Sequence, residues 1–122
     1  MLPTLANKAV EIVRQRAAKR EQPLFLYFPL TGPHTPWMPI TPFRGKSKAG
    51  LYGDYIQQLD HCVGRVLDAL EKHGFAQNTL ILFTSDNGGR YERGAMRAGH
   101  RTNGELLGQK TDVWEGGHRV PL

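Results

Sequence analysis

The polar side chains of this sequence that are placed to do chemistry lie in its loops. Asp86 and Asn87 stand side by side in Thr84-Ser85-Asp86-Asn87-Gly88-Gly89. An adjacent carboxylate and amide offer hard oxygen ligands of the kind calcium and magnesium take. The same Asp-Asn-Gly-Gly run is ordinary turn chemistry, and alone it does not separate the two readings. His34 sits in the proline-framed run Pro33-His34-Thr35-Pro36. The only cysteine, Cys62, lies next to Val63 beside an apolar stripe, which predicts a half-buried, inert thiol. His61 and His73 fall on a helix surface without spaced partners. With no second cysteine and no His-Glu-x-x-His, zinc has no signature here, and Walker, Gly-x-Gly-x-x-Gly and Gly-x-Ser-x-Gly loops are equally absent.

Four elements must position these groups. Thr4 is the expected N-cap of a first helix whose stripe is Leu5, Ala9, Ile12, Val13 and Ala17. Lys19-Arg20 then falls at a helix C-terminus, where the dipole favours cations. After Glu21-Gln22-Pro23, the run Leu24–Leu30 is almost wholly apolar and predicts a strand covered on both faces. A loop rich in proline and glycine follows to Gly50; at about 20 residues it exceeds ordinary loop length, which favours function. From Leu51, Tyr52, Ile56, Leu59, Val63, Val66 and Leu70 form a helical stripe, with Asp54, Gln57, Gln58 and Asp60 assigned to the remaining surface and Gly74 as the stop. Thr79–Thr84 predicts a second buried strand. Strand, helix and strand compose a right-handed βαβ unit, so the fold class is α/β with a mostly parallel sheet. Ligands of such sheets bind outside the carboxyl ends of strands, which is where His34 and Asp86-Asn87 fall.

Composition bounds the function. The chain has 122 residues, 39% hydrophobic and 22% charged, which excludes a disordered tail or a collagen-like repeat. No apolar run approaches the roughly 18 residues of a membrane span. Met1-Leu2-Pro3-Thr4 opens an amphipathic pattern and not a secretory leader. The net charge of +5 permits an anionic partner, but the basic residues of the first helix read as a solvated face, so no nucleic-acid partner is expected.

The tail adds Gly108-Gln109-Lys110-Thr111-Asp112-Val113-Trp114-Glu115-Gly116-Gly117-His118-Arg119-Val120-Pro121. Together with Gly32–Pro36, Gly50-Leu51-Tyr52-Gly53, Leu59-Asp60, Val63-Gly64 and Thr84–Gly88, in that order and spacing, the chain resembles the sulfatase family. The likeness is to the arylsulfatase and N-acetylgalactosamine-6-sulfatase type and runs from about Leu24 to the end. It implies an alkaline-phosphatase-like α/β fold and hydrolysis of sulfate esters of small molecules or glycans. It further implies that Asp86 and Asn87 are the downstream half of a divalent metal site, usually calcium, and that His34 and Lys110 contact the sulfate and its leaving oxygen. A metal, an ammonium and an imidazole suit a reaction in which charge gathers on sulfuryl and leaving-group oxygens. His100 and Arg101, with Arg90, Arg93 and Arg97, could recognise an anionic sugar or be solvated loop charges, while Arg119 could bind substrate or a core carboxylate. Trp37 is expected to pack.

Members of that family generate a formylglycine nucleophile from a Cys-x-Pro-Ser-Arg motif. Here Cys62 is followed by Val63-Gly64-Arg65, and no Asp-Asp pair completes the metal site. The expectation is therefore a middle piece of one sulfatase catalytic domain spanning 1–122, inactive by itself. The whole enzyme is expected to be exported, periplasmic, extracellular or lysosomal. Hydrolysis of phosphate or phosphonate esters, and a non-catalytic sulfated-glycan-binding remnant, are the alternatives. Oligomeric state is not legible.

Overall fold

The structure, a computed structural model, describes residues 1–121. Its helices are α1 (Leu2–Arg16), α2 (Gly50–Lys72), α3 (Arg93–Arg97) and α4 (Glu115–His118), with 3-10 turns at Ala17–Lys19, Thr41–Phe43 and Ala76–Asn78. Helix α1 starts earlier than Thr4 predicts. Met1 is its N-cap and makes no side-chain cap bond, and Pro3 lies in the first turn, where its missing N–H is harmless. The buried stripe is Leu2, Ala6, Ala9 and Val13, rotated from the predicted one so that small residues meet α2. Leu2 and Ala6 pack with Tyr55 and Cys62, and Val13 packs with Ala69 and Leu70.

Helix α2 ends as its sequence predicts. Gly74 takes φ +74, its amide bonds the Glu71 carbonyl at 3.0 Å, and Phe75 bonds Leu70 at 2.8 Å. This is a Schellman cap, and Phe75 packs beside Leu70 to complete it. Two assignments on α2 are corrected. Cys62 is only 1% exposed, not half-buried, and burial pushes its thiol above the ordinary range. Asp54 and Gln58, expected on the surface, are each only 2% exposed. Asp54 accepts the amides of Gly45, Lys46 and Ser47 at 2.7, 3.0 and 2.8 Å, and Gln58 accepts that of Ile40 at 2.7 Å. One helical turn apart, the two side chains pin the long loop to α2 by giving its backbone donors the partners that burial demands.

The two expected strands are not formed: no strand occurs among the described residues, and neither segment is covered on both faces. Leu26, Phe28 and Leu30 pack against the helices, whereas Phe25 and Tyr27 are 92% and 77% exposed. That period of two is the pleat of a strand with one face occupied. In the second segment Leu80 is 84% exposed, and Ile81, Leu82 and Phe83 are also exposed. A sheet forms only where extended segments share hydrogen-bond ladders, and apolar composition supplies none of these.

Candidate functional site

The second extended segment runs into a turn built from its own side chains. The Ser85 hydroxyl donates to the Asn87 carbonyl at 3.0 Å and, more weakly, to Asp86 Oδ1 at 3.4 Å. Asn87 Nδ2 donates to the Gly88 carbonyl at 3.0 Å. Its side-chain oxygen has no partner among the described residues, and Asp86 is exposed. The adjacent pair thus presents a carboxylate and an amide oxygen from one turn.

The tail closes on this turn. Gly88 donates to the Gly117 carbonyl at 2.9 Å, Lys110 to Gly89 at 3.1 Å, and Gly116 to Leu107 at 2.8 Å. Such close backbone approach needs glycine: a Cβ at Gly88 would lie 1.9 Å from the Gly116 oxygen. Asn103 clamps the same place. Its Oδ1 accepts from Gly89 N at 2.8 Å, and its Nδ2 donates to Gly89 and Gly108, both at 2.9 Å. The backbone of Lys110 is therefore tied to the residue beside the Asp86–Gly88 turn. Nothing in the sequence reading singled out Asn103; the cluster of Gly88, Gly89, Gly108, Gly116 and Gly117 was the available signal. Asn103→Ala is expected to lower stability by about 2 kcal/mol, from three lost hydrogen bonds with partial rescue by water. Chemical denaturation with α1–α2 hydrogen exchange as internal control checks it; an unchanged midpoint would mean the clamp bonds contribute nothing.

His34 follows the first segment, and no hydrogen bond joins it to Asp86, Asn87 or Lys110 among the described residues. Pro33 and Phe83 line one hollow of about 370 Å³ with Ile56, Leu59, Asp60 and Val63. The peptide bonds Gly32-Pro33 and Thr35-Pro36, on either side of His34, are both cis. The exposed imidazole places Nδ1 2.7 Å from the Thr35 carbonyl. A carbonyl only accepts, so Nδ1 carries the proton and Nε2 is left to accept or exchange one.

The more distant candidates divide. Tyr52 stands between Trp37 and His100, with ring centroids 5.3 and 5.5 Å away, and Trp37 Nε1 donates to the Pro33 carbonyl at 2.9 Å. Trp37 packs, as expected, and His100 tilts against Tyr52. Burial pushes the Tyr52 phenol above its ordinary range, with the Glu92 charge adding to it and the Thr102 hydroxyl opposing it; that hydroxyl is itself buried outside hydrogen-bond geometry to any described partner. Arg101 pairs with Glu105, and Arg119 pairs with Glu115 at 2.8 Å. Arg119 thus meets an exposed helical carboxylate and not one in the core. Glu92 caps α3 by accepting the Ala95 amide at 2.5 Å, and the Gly94 and Ala95 amides hold its carboxyl below the usual range.

No group of three or more His, Cys, Asp or Glu side chains able to hold a metal occurs among the described residues. Asp86 and Asn87 fit a hard cation by donor type, and they supply two oxygens where calcium takes six to eight. Among the described residues no helix is long and apolar enough to cross a membrane.

The chain belongs to the sulfatase family, whose sequence model matches residues 3–122. It is 41% identical to human (Homo sapiens) arylsulfatase H over 104 residues, covering 84% of this chain and 18% of that protein. It is 39% identical to N-acetylgalactosamine-6-sulfatase of Canis lupus familiaris over 110 residues, covering 90% of this chain and 20% of that protein. The chain therefore spans about a fifth of the length of the curated relatives it matches. The crystal structure of Ps i-CgsB superposes with a TM-score of 0.82 at 31% identity, over 99% of this chain and 27% of that one. The same protein in complex with k-i-k-neocarrahexaose gives 0.78 at 32% identity.

Proposed function

We propose that this chain is the part of a sulfuric ester hydrolase that brings His34, Lys110 and the Asp86–Asn87 oxygens to a sulfate ester of a small molecule or glycan. The observation that carries the reading is the Lys110 amide on the Gly89 carbonyl, at 3.1 Å, beside the Asp86–Gly88 turn. Sulfate monoesters leave with charge on the bridging and sulfuryl oxygens, so cationic and hydrogen-bonding groups around one oxyanion lower the barrier. Lys110 serves as the ammonium. His34, with Nδ1 tied to Thr35, holds or releases a proton at Nε2. A divalent cation held in part by Asp86 and Asn87, calcium by the family's habit, supplies electrostatic stabilisation when bound. The formylglycine nucleophile of the family has no precursor motif in these residues. In the same reading, Leu24–Leu30 and Thr79–Thr84, which form no strand among the described residues, take their places as parallel strands of an alkaline-phosphatase-like α/β sheet in the whole enzyme, and His100 and Arg101 flank the substrate.

The 122-residue chain is expected to bind 4-nitrophenyl sulfate in the millimolar range without hydrolysing it. Histidine and lysine orient an ester but do not replace a covalent catalyst. Cys62 cannot substitute, because it is buried and its thiol is held protonated. Lys110→Ala is expected to weaken binding about tenfold, the effect of one charge-assisted contact. NMR titration together with release of 4-nitrophenol measures both. Metal-dependent turnover that Lys110→Ala abolishes would overturn the expectation of inactivity, and binding indifferent to Lys110→Ala would remove Lys110 from the site.

A further inference from the structure

Lys110 stands on a turn whose chemistry is unusual. The Asp112 amide bonds the Gln109 carbonyl at 2.9 Å, and Asp112 Oδ2 accepts the Gln109 amide at 3.0 Å, closing a four-residue turn from both ends. Its third residue, Thr111, has φ +81 and is the only non-glycine at positive φ among the described residues. That position in a turn of this hand is glycine's, and a β-branched side chain there is strained. Six glycines of the chain take positive φ without such strain. Packing does not explain the choice of threonine, since Thr111 is exposed and its hydroxyl makes no hydrogen bond among the described residues. Strain that persists with no packing or hydrogen-bond return marks a side chain kept for something outside the fold.

We propose that Thr111 is an anion-contacting residue: its hydroxyl donates a hydrogen bond to an oxygen of the sulfate ester that Lys110 binds, the two side chains occupying the central positions of one turn. The inference deepens the reading of Lys110 given above and rests on it. A neutral donor beside an ammonium adds direction to a point charge, which has none of its own. The strained backbone is the cost of placing a hydroxyl where glycine would otherwise sit.

The test uses the full chain, 4-nitrophenyl sulfate followed by NMR at the Lys110 and Asp112 amides, and thermal unfolding of each variant. Thr111→Gly is expected to raise the melting temperature and to weaken sulfate-ester binding about fivefold, the size of one lost hydrogen bond. Thr111→Val keeps the branching and the strain but lacks the donor, so it is expected to bind as weakly as Thr111→Gly without the gain in stability. Thr111→Ser restores the donor and is expected to bind within about twofold of the native chain. A merely structural role predicts the reverse pattern, with binding following stability and indifferent to the hydroxyl. Native affinity in Thr111→Val, alongside weakened binding in Lys110→Ala, overturns this inference and leaves Lys110 in place. Unchanged binding in Lys110→Ala overturns the reading of Lys110 and this inference with it. A melting temperature that fails to rise in Thr111→Gly refutes the strain on which the argument stands.

Discussion

Gly116→Ala is expected to force residue 116 off the Leu107–Gly108 backbone and, through the adjoining Gly88–Gly117 hydrogen bond, to loosen the tail from the Asp86–Gly88 turn, at about 3 kcal/mol or more, the upper range for overpacking. A Cβ at this position falls 2.2 Å from the Gly108 oxygen and 2.8 Å from the Leu107 oxygen. The second of these atoms is the acceptor of Gly116's own amide. Both obstacles are backbone, so no rotamer change relieves them, and the chain must move apart. Neither Gly116 nor Gly88 is at positive φ; the constraint is space and not conformation. Gly88→Ala meets a different contact, its Cβ 1.9 Å from the Gly116 oxygen, and because both clashes displace Gly116 the double variant should lose less than the sum of the two single ones. Hydrogen exchange reads the outcome directly. Protection of the Gly88, Lys110 and Gly116 amides should vanish in each variant while that of α1 and α2 persists. Retained protection at Lys110 would show that its docking does not depend on this contact.

Asp54→Ala is expected to destabilise the chain more than Asn103→Ala does. Both remove three hydrogen bonds, but those to Asp54 end on a charge and are roughly twice as strong as neutral ones. The amides of Ser47, then Gly45 and Lys46, hold the Asp54 carboxyl below its ordinary range against an opposing effect of burial. Because the folded-state value is depressed, the stabilisation is complete above the unfolded value of roughly pH 4 and is lost as pH falls through the lower folded one. Thermal unfolding of Asp54→Asn beside the native chain checks this sign. The gap between their melting temperatures should be widest near neutrality and should narrow under acid. A gap that stays constant down through the acid range would show that Asp54 holds the loop by shape alone.

What the sequence revealed depended on whether the signal was local. The spacing of Tyr52, Val66 and Leu70 and the stop at Gly74 specify α2, because a helix satisfies its backbone within one segment. Leu24–Leu30 shows the opposite case. Its apolar run predicts a strand buried on both faces, yet no strand forms there among the described residues, because ladder partners and a second covering layer depend on neighbours that the run itself does not encode. Asp54 and Gln58 were assigned to the surface by polarity, since a pattern of residue types cannot reveal backbone donors arriving from a distant loop. The candidate site residues Asp86, Asn87, His34 and Lys110 stand out in the sequence as residue types in ordered motifs. That Lys110 docks beside the Asp86–Gly88 turn was legible only through the glycines that permit it. Asn103 was not legible at all, because an asparagine clamp and a solvated asparagine look alike in one dimension.

The half-occupied pleat of Leu24–Leu30 also governs how this protein behaves as a solute. Phe25 and Tyr27, with Leu80, Leu82 and Phe83, leave oily surface in water next to backbone that pairs with no ladder. The +5 charge that each molecule carries opposes the approach of a second copy. That repulsion reaches only about 8 Å at physiological ionic strength and shrinks as salt is added. Light scattering is therefore expected to show the least self-association in dilute buffer well below the isoelectric point of about 9.7, and more as salt is added.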